Sequence, residues 1–390
     1  MNIRIDELNI KNFVGIGSGT IKVNFDNSDD TPNVVGIFGA NGTGKTRTLN
    51  VIKVIQKLLN KKQIPRKLSS LQNDTTLTVK FTFTDNVCYN MLYSIIYNRN
   101  EIKSEYLFKD NDLIIGYHDN NFEGILADTF SERIKGLILG DLNGLESFIF
   151  NSRLLTYLEL SDFCEKDCVL SLNSFAKDKM IFIDAEEVYN GKLIVNVGRL
   201  LSNNDEYFNL IEDLNLNNDD ALLIKKSFLK VNPILQKFVN RRLELLNVGE
   251  GLYITAVYNG VNSIHIKNES LGIRRFILYI YSFMLLRNDK SICLCIDEID
   301  SGIFEPLLRE LVLSIKTIYA GQLWFTAHNF ELVSALNAND VVFTTMNSED
   351  RFMRLDTVKV LHDIYDKIED GFYGEFDESE IDYLMRGSHV

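Results

Sequence analysis

Proline is scarce, with four in 390 residues. With 45% hydrophobic and 24% charged residues, the chain buries a large core and forms one big domain or two intimate ones. Long apolar runs are missing too: residues 276–286 and 291–296 are the most apolar stretches, and both are too short to span a bilayer. Residues 1–6 alternate like a strand rather than like a secretion signal, so a cytoplasmic location with no membrane partner is the expectation. Five cysteines give no disulfide framework. Cys164 and Cys168 have the spacing of half a metal site, but no second Cys/His pair follows nearby, and reduced structural thiols are the simpler reading. An excess of basic charge is also absent. The net charge of -13 gives nucleic acid no long-range attraction and leaves only local basic patches. One patch is Lys53, Lys57, Lys61, Lys62, Arg66 and Lys67, which reads either as the solvated face of a helix and its following loop or as a phosphate-contacting surface. On this balance a basic protein partner fits better than free DNA. No internal repeat or low-complexity segment occurs.

Residues 3–10 and 19–25 alternate with period two about a Gly-rich turn at 15–19, which predicts a hairpin. Residues 34–38 are a short apolar run of the kind found in buried parallel strands, and 46–59 carry apolar residues at helical spacing. The order is strand, Gly-rich loop, helix. Another alternating strand is predicted at 77–84. From about 103 to 248 helical spacing dominates, with Asn/Asp-rich loops at 203–205 and 215–220, which predicts a mainly helical inserted lobe. After it come a second hairpin about Asn259-Gly260, an apolar helix at 272–286, a hydrophobic strand at 292–296, a helix at 305–319 and a buried strand at 323–326. Strands buried on both faces and alternating with helices mean a parallel sheet in an α/β fold.

The segment Gly39, Ala40, Asn41, Gly42, Thr43, Gly44, Lys45, Thr46 fits the phosphate-loop pattern G-x-x-x-x-G-K-[ST] without mismatch. Its glycines let backbone N–H groups line a concave nest for phosphate oxygens, and the helix starting there adds the positive end of its dipole. Lys45 is read as reaching the β- and γ-phosphates of ATP, and the Thr46 hydroxyl as a Mg²⁺ ligand. The strand at 292–296 ends in Asp297-Glu298. Asp297 is assigned to Mg²⁺, directly or through water, and Glu298 to polarising the attacking water as general base. Taken alone, a strand ending in two acids is equally a solvated strand end; the phosphate loop gives it the catalytic reading. Ser270, ahead of Gly272, is a good helix N-cap. His328 closes the strand at 323–326. The domain division that follows is 1–100 and 249–345 as two parts of one ATPase head, 101–248 as the inserted lobe, and 346–390 as a helical, acidic tail.

The order of the Asn12-Phe13 hairpin, phosphate loop, insertion, Ser270-x-Gly272, Asp297-Glu298 and His328 resembles the ABC-type heads of the RecF, SMC and OLD-like ATPases, over roughly residues 1–90 and 250–345. The middle lacks the sustained heptads of an SMC coiled coil. The resemblance is nearest to the OLD-like "AAA family" ATPases of bacterial defence islands, including abortive-infection, Septu-like and PARIS-like systems. Ser301-Gly302-Ile303 and Gly371-Phe372-Tyr373-Gly374 match that group loosely.

The resemblance implies a mixed-sheet ABC-type P-loop head that forms a homodimer or higher homo-oligomer with ATP sandwiched between heads. Ser270 and Gly272 then touch the γ-phosphate of the opposite subunit, and His328 senses it as the switch histidine. It also implies a separate nuclease or toxin effector and a phage trigger protein. The residues after His328 are too few for a Toprim domain, so no intrinsic nuclease is expected. Two departures stand out: Gln72 is only the nearest candidate for a Q-loop glutamine, and the signature lacks its usual second glycine. The alternative is a RecF- or SMC-like repair ATPase that binds duplex DNA, which the lysine patch favours and the acidic balance does not.

Overall fold

In β1 (Asn2–Phe13) the buried residues run Ile3, Ile5, then Leu8, Ile10: the period of two slips by one residue at Asp6. The slip is a bulge, seen as a register shift between Ile5 and Glu7 where β1 pairs with β4 (Thr75–Thr84). β2 (Ile16–Lys22) pairs on the other side of β1 through a tighter turn than the glycines suggest, at Val14-Gly15. The computed structural model describes residues 2–23, 33–68, 70, 73–84, 88–139, 145–163, 165–184, 188, 190–202, 205–303, 305–316 and 321–354. With β5 (Tyr89–Tyr97), β6 (Ile102–Lys109), β7 (Asp112–His118) and β8 (Asn121–Glu123), these strands make a seven-stranded antiparallel sheet in the order β2-β1-β4-β5-β6-β7-β8.

Among the described residues the second sheet has six strands, in the order β19-β18-β3-β17-β16-β9. They are β3 (Asn33–Phe38), β9 (Met180–Ile183), β16 (Cys293–Ile296), β17 (Gln322–Thr326), β18 (Val341–Thr344) and β19 (Phe352–Arg354), all parallel except β19. Between β9 and β16 lie a short pair, β10 (Ile194–Asn196) with β11 (Tyr207–Asn209), and a small antiparallel sheet of β12 (Leu214–Asn215), β13 (Arg242–Gly249), β14 (Leu252–Tyr258) and β15 (Ser263–His265). The β14–β15 hairpin turns at Asn259-Gly260 as the sequence predicts.

The described helices are α1 (Lys45–Leu59), α2 (Glu132–Leu139), α3 (Ser152–Glu159), α4 (Lys166–Asp178), α5 (Val197–Ser202), α6 (Asn218–Val239), α7 (Leu271–Asn288) and α8 (Glu305–Lys316). The parallel sheet is covered on both faces. Val35, Ile37, Cys293, Cys295 and Trp324 pack into one core with α1, α4 and the antiparallel sheet. Their strand neighbours Val34, Phe38, Leu294, Ile296 and Phe325 pack into a second core with α6, α7 and α8. The two sheets are tied by the buried Gln322, whose Oε1 accepts from Ile5 N at 3.0 Å and whose Nε2 donates to Ile5 O at 2.6 Å, beyond the point where β2 ends.

The span 101–248 differs from the single helical lobe that its spacing predicts. It does contain α2 to α6, but it begins with three strands that extend the antiparallel sheet and it supplies β9, the edge of the parallel sheet. The Asn/Asp-rich run at 215–220 is not a loop between helices: Asn217 caps α6, its side chain accepting from Asp220 N. Asn203-Asn204, the acidic residues after 354 and the Gly371 to Gly374 motif lie outside the described residues. Among the described residues no helix is long and apolar enough to cross a membrane.

Candidate active site

The loop from Gly39 to Thr46 joins β3 to α1, in the arrangement the motif requires. Gly39, Gly42 and Gly44 all have positive φ, at 149°, 84° and 104°. At Gly39 there is no room for a side chain either, because a Cβ would sit 2.1 Å from Thr344 Oγ1. Thr43 is fully buried beneath the loop, where its hydroxyl reaches Ala40 O at 2.8 Å and Thr344 Oγ1 at 2.5 Å. Thr344 in turn donates to Phe38 O, so β18 braces the loop from behind. Lys45 folds back over the loop and donates to Gly39 O at 2.6 Å and Ala40 O at 3.0 Å. Burial lowers its pKa, opposed by the nearby carboxylates of Asp300, Glu298 and Asp297.

Asp297 and Glu298 follow the end of β16, beside this loop. Thr46 Oγ1 donates to Asp297 Oδ1 at 3.1 Å. Thr326, the last residue of β17, donates its hydroxyl to the same oxygen at 2.5 Å and accepts Glu298 N–H at 2.8 Å. A hydroxyl can do both at once. The contact matters because Glu298 has a left-handed backbone, φ 49°, which a residue with a side chain holds only when its surroundings fix it. Glu298 Oε1 lies 3.7 Å from His328 Nε2. Behind them Asp300 Oδ2 accepts the backbone N–H groups of His328 and Asn329, both at 2.7 Å. Burial raises the pKa of Asp297, with Glu298 and Asp184 adding to the rise and the two threonine hydroxyls opposing it. A partly buried carboxylate held this way is short of positive charge, and with the Thr46 hydroxyl it offers the hard oxygen donors that suit Mg²⁺.

Of the residues singled out in the sequence, Lys45, Thr46, Asp297, Glu298 and His328 therefore meet. Ser270 and Gly272 do not join them: Ser270 is exposed at the start of α7, where its hydroxyl caps Ile273 N at 3.3 Å. That helix start is nonetheless packed on the loop after Glu298. Gly302 O would lie 2.3 Å from a Cβ on Gly272, and Arg275 donates to Ser301 O. Gln72 and Cys164 lie outside the described residues. Cys168 is a buried thiol bonded to Glu165, its pKa pushed up to about 12 by burial and by that carboxylate, which is the reverse of a metal-binding thiolate. Sequence reasoning missed Thr326 and Asp300. The only local signals were a threonine closing a buried strand and a third acid two residues after Glu298.

Among the described residues, two of the cavities lie beside the phosphate loop. One, of about 550 Å³, runs from Thr46, Asp297 and Glu298 along α1 to Lys53 and Lys57. The other, of about 490 Å³, is lined by residues 12–17 of the first hairpin together with Ser70, Asn73, Ser348 and Arg351. It adjoins the start of α1, where a Cβ on Gly44 would lie 3.5 Å from Ile16.

The chain has the fold of an SMC head. An SMC head bound to the C-terminal winged-helix domain of ScpA superposes with a TM-score of 0.53 at 11% identity, covering 93% of this chain and 99% of that one. The SMC head of Thermotoga maritima (0.43, 12% identity, 91% and 100% covered) and RecF bound to ATP (0.40, 12% identity, 91% and 99% covered) are more distant matches. No family model and no curated protein matches the sequence.

Proposed function

We propose that the chain is an ATP-hydrolysing head that closes on a second copy around ATP and Mg²⁺, and that closure controls a separate effector protein. The observation that carries this reading is the unbroken chain of contacts from Thr46 through Asp297 and Thr326 to Glu298 and His328, beside a complete phosphate loop. In it Lys45 exchanges the loop carbonyls for phosphate oxygens. Thr46 and Asp297 would hold Mg²⁺, which when bound neutralises phosphate charge. Glu298 takes the proton of the attacking water as general base, and the nearby His328 imidazole contacts the γ-phosphate end. Because that end faces Glu298, the nucleoside extends the other way, toward the 490 Å³ cavity at the first hairpin.

The exposed Ser270, on a helix that bears on the loop after Glu298, suits contact with a second head's nucleotide. Opening and closing can then reach α7 through Gly272 and Arg275. For the effector, the motif order supports a defence-system scaffold holding a separate nuclease or toxin. The SMC head captured with a ScpA domain supports docking of a protein partner on this fold, and the net charge of -13 weighs against duplex DNA.

The test is a native pull-down with and without ATP, with Lys45→Ala as control. An ATP-dependent nuclease-like or toxin-like partner supports the reading. Recovery of DNA with replication proteins instead supports a RecF-like repair role, which the lysines of α1 and its following loop would serve.

A further inference from the structure

The cavity of about 550 Å³ runs along α1 with charged residues at both ends. At one end stand Asp184, Asp297 and Glu298; at the other Lys53, Lys57 and Lys67, with Phe182, Pro65 and Leu68 among the walls. Lys53 and Lys57 are four residues apart on α1, so their side chains lie on one face. Lys67 comes from the single 3₁₀ turn Arg66–Leu68 that follows. None of the three forms an ion pair among the described residues, and Lys53 instead lies 6.0 Å from the centre of the Phe182 ring. Burial and then the nearby charges of Lys53, Lys62 and Lys67 lower the pKa of Lys57, so like charges crowd this end without compensation.

We propose that this cavity, which meets the phosphate loop only at its last residue, Thr46, holds a second ligand, a phosphate-bearing small molecule of mononucleotide size, at its lysine end. Its phosphate would sit among Lys53, Lys57 and Lys67, and its less polar part against Phe182, Pro65 and Leu68. The volume lies in the range of small-molecule pockets. A strongly acidic chain lacks the long-range field that draws in a nucleic-acid polymer, whereas a local lysine cluster suffices for a small anion. Because the cavity also reaches Thr46 and Glu298, a bound ligand would adjust hydrolysis.

The test uses the full-length Lys45→Ala protein, in which phosphate-loop binding is weakened, and equilibrium dialysis with AMP and with inorganic pyrophosphate. Saturable binding of one molecule per chain is expected, weakened about tenfold or more when Lys53, Lys57 and Lys67 are replaced by alanine. Preference for AMP is expected, because pyrophosphate has no less polar part to lie against Phe182, Pro65 and Leu68; preference for pyrophosphate would contradict the proposal. With Lys45 intact, the triple alanine variant should keep its ATP affinity, which separates failure of this site from failure of the ATPase reading. Wild-type protein preloaded with ADP provides the same measurement should Lys45→Ala fold poorly. Absence of saturable binding, binding indifferent to the three lysines, or binding of a single-stranded oligonucleotide alone would each overturn the proposal.

Discussion

Thr326 donates a 2.5 Å hydrogen bond to Asp297 Oδ1 while accepting the backbone N–H of Glu298, so one hydroxyl fixes both acids of the site. Replacing it with the near-isosteric valine keeps the packing and removes both bonds. Thr326→Val is expected to cost about 1–3 kcal/mol of stability for the orphaned N–H. It should also slow ATP turnover on the order of 100-fold through misplacement of Glu298, with ATP affinity little changed. Thr326→Ser should recover most of the rate. Phosphate release and nucleotide titration on the two variants check this.

Asp297 is expected to make the stability of the protein depend on pH when no Mg²⁺ is bound. Its folded pKa lies above the ordinary carboxylate value because of burial, so its ionisation disfavours the folded state. The stability it contributes is greatest when it is protonated and is lost as pH rises from the unfolded carboxylate value through the raised folded one. Asp297→Asn keeps an acceptor for both threonines without the charge. With Mg²⁺ chelated, it is expected to exceed wild type in stability by about 1 kcal/mol at neutral pH, and the difference should vanish in acid. Thermal melts across pH read the sign directly.

A helical glycine usually gains about 1 kcal/mol on replacement by alanine. Gly272 should do the opposite, because the new Cβ meets Gly302 O at 2.3 Å, backbone against backbone. A loss of about 1–3 kcal/mol is expected, with reduced ATP turnover as the start of α7 is pushed off the loop after Glu298. Gain of stability in a denaturant melt would contradict the contact.

Gln322→Leu preserves bulk but strips the two bonds to Ile5, leaving an N–H and a carbonyl of β1 unpaired in the core. A cost of about 2–5 kcal/mol is expected in denaturant unfolding. Exchange of the Ile5 amide hydrogen should accelerate ahead of its neighbours.

The phosphate loop and the ends of β16 and β17 were legible because each carries its signal within a few adjacent residues. Strands β6 and β7 were not. Glu105, fully buried in β6, interrupts the apolar alternation, and its burial makes sense only once Tyr93, Ser147, Phe148 N and Ile149 N are seen to bond it. Thr326 and Asp300 were hidden for the same reason, since their partners lie 28 or 29 residues away in sequence. Asn217 shows the reverse error: a residue type common in loops was starting a helix.

In the proposed function Glu298 drives ATP hydrolysis in a site built on Thr46, Asp297 and Thr326. Single-turnover phosphate release with Mg²⁺ and ATP, wild type against Glu298→Gln, tests it most directly. Both proteins are expected to bind ATP, with the variant releasing phosphate about 100-fold or more slowly and accumulating as a closed dimer. Equal release rates in the two proteins, or no release from wild type, would contradict it.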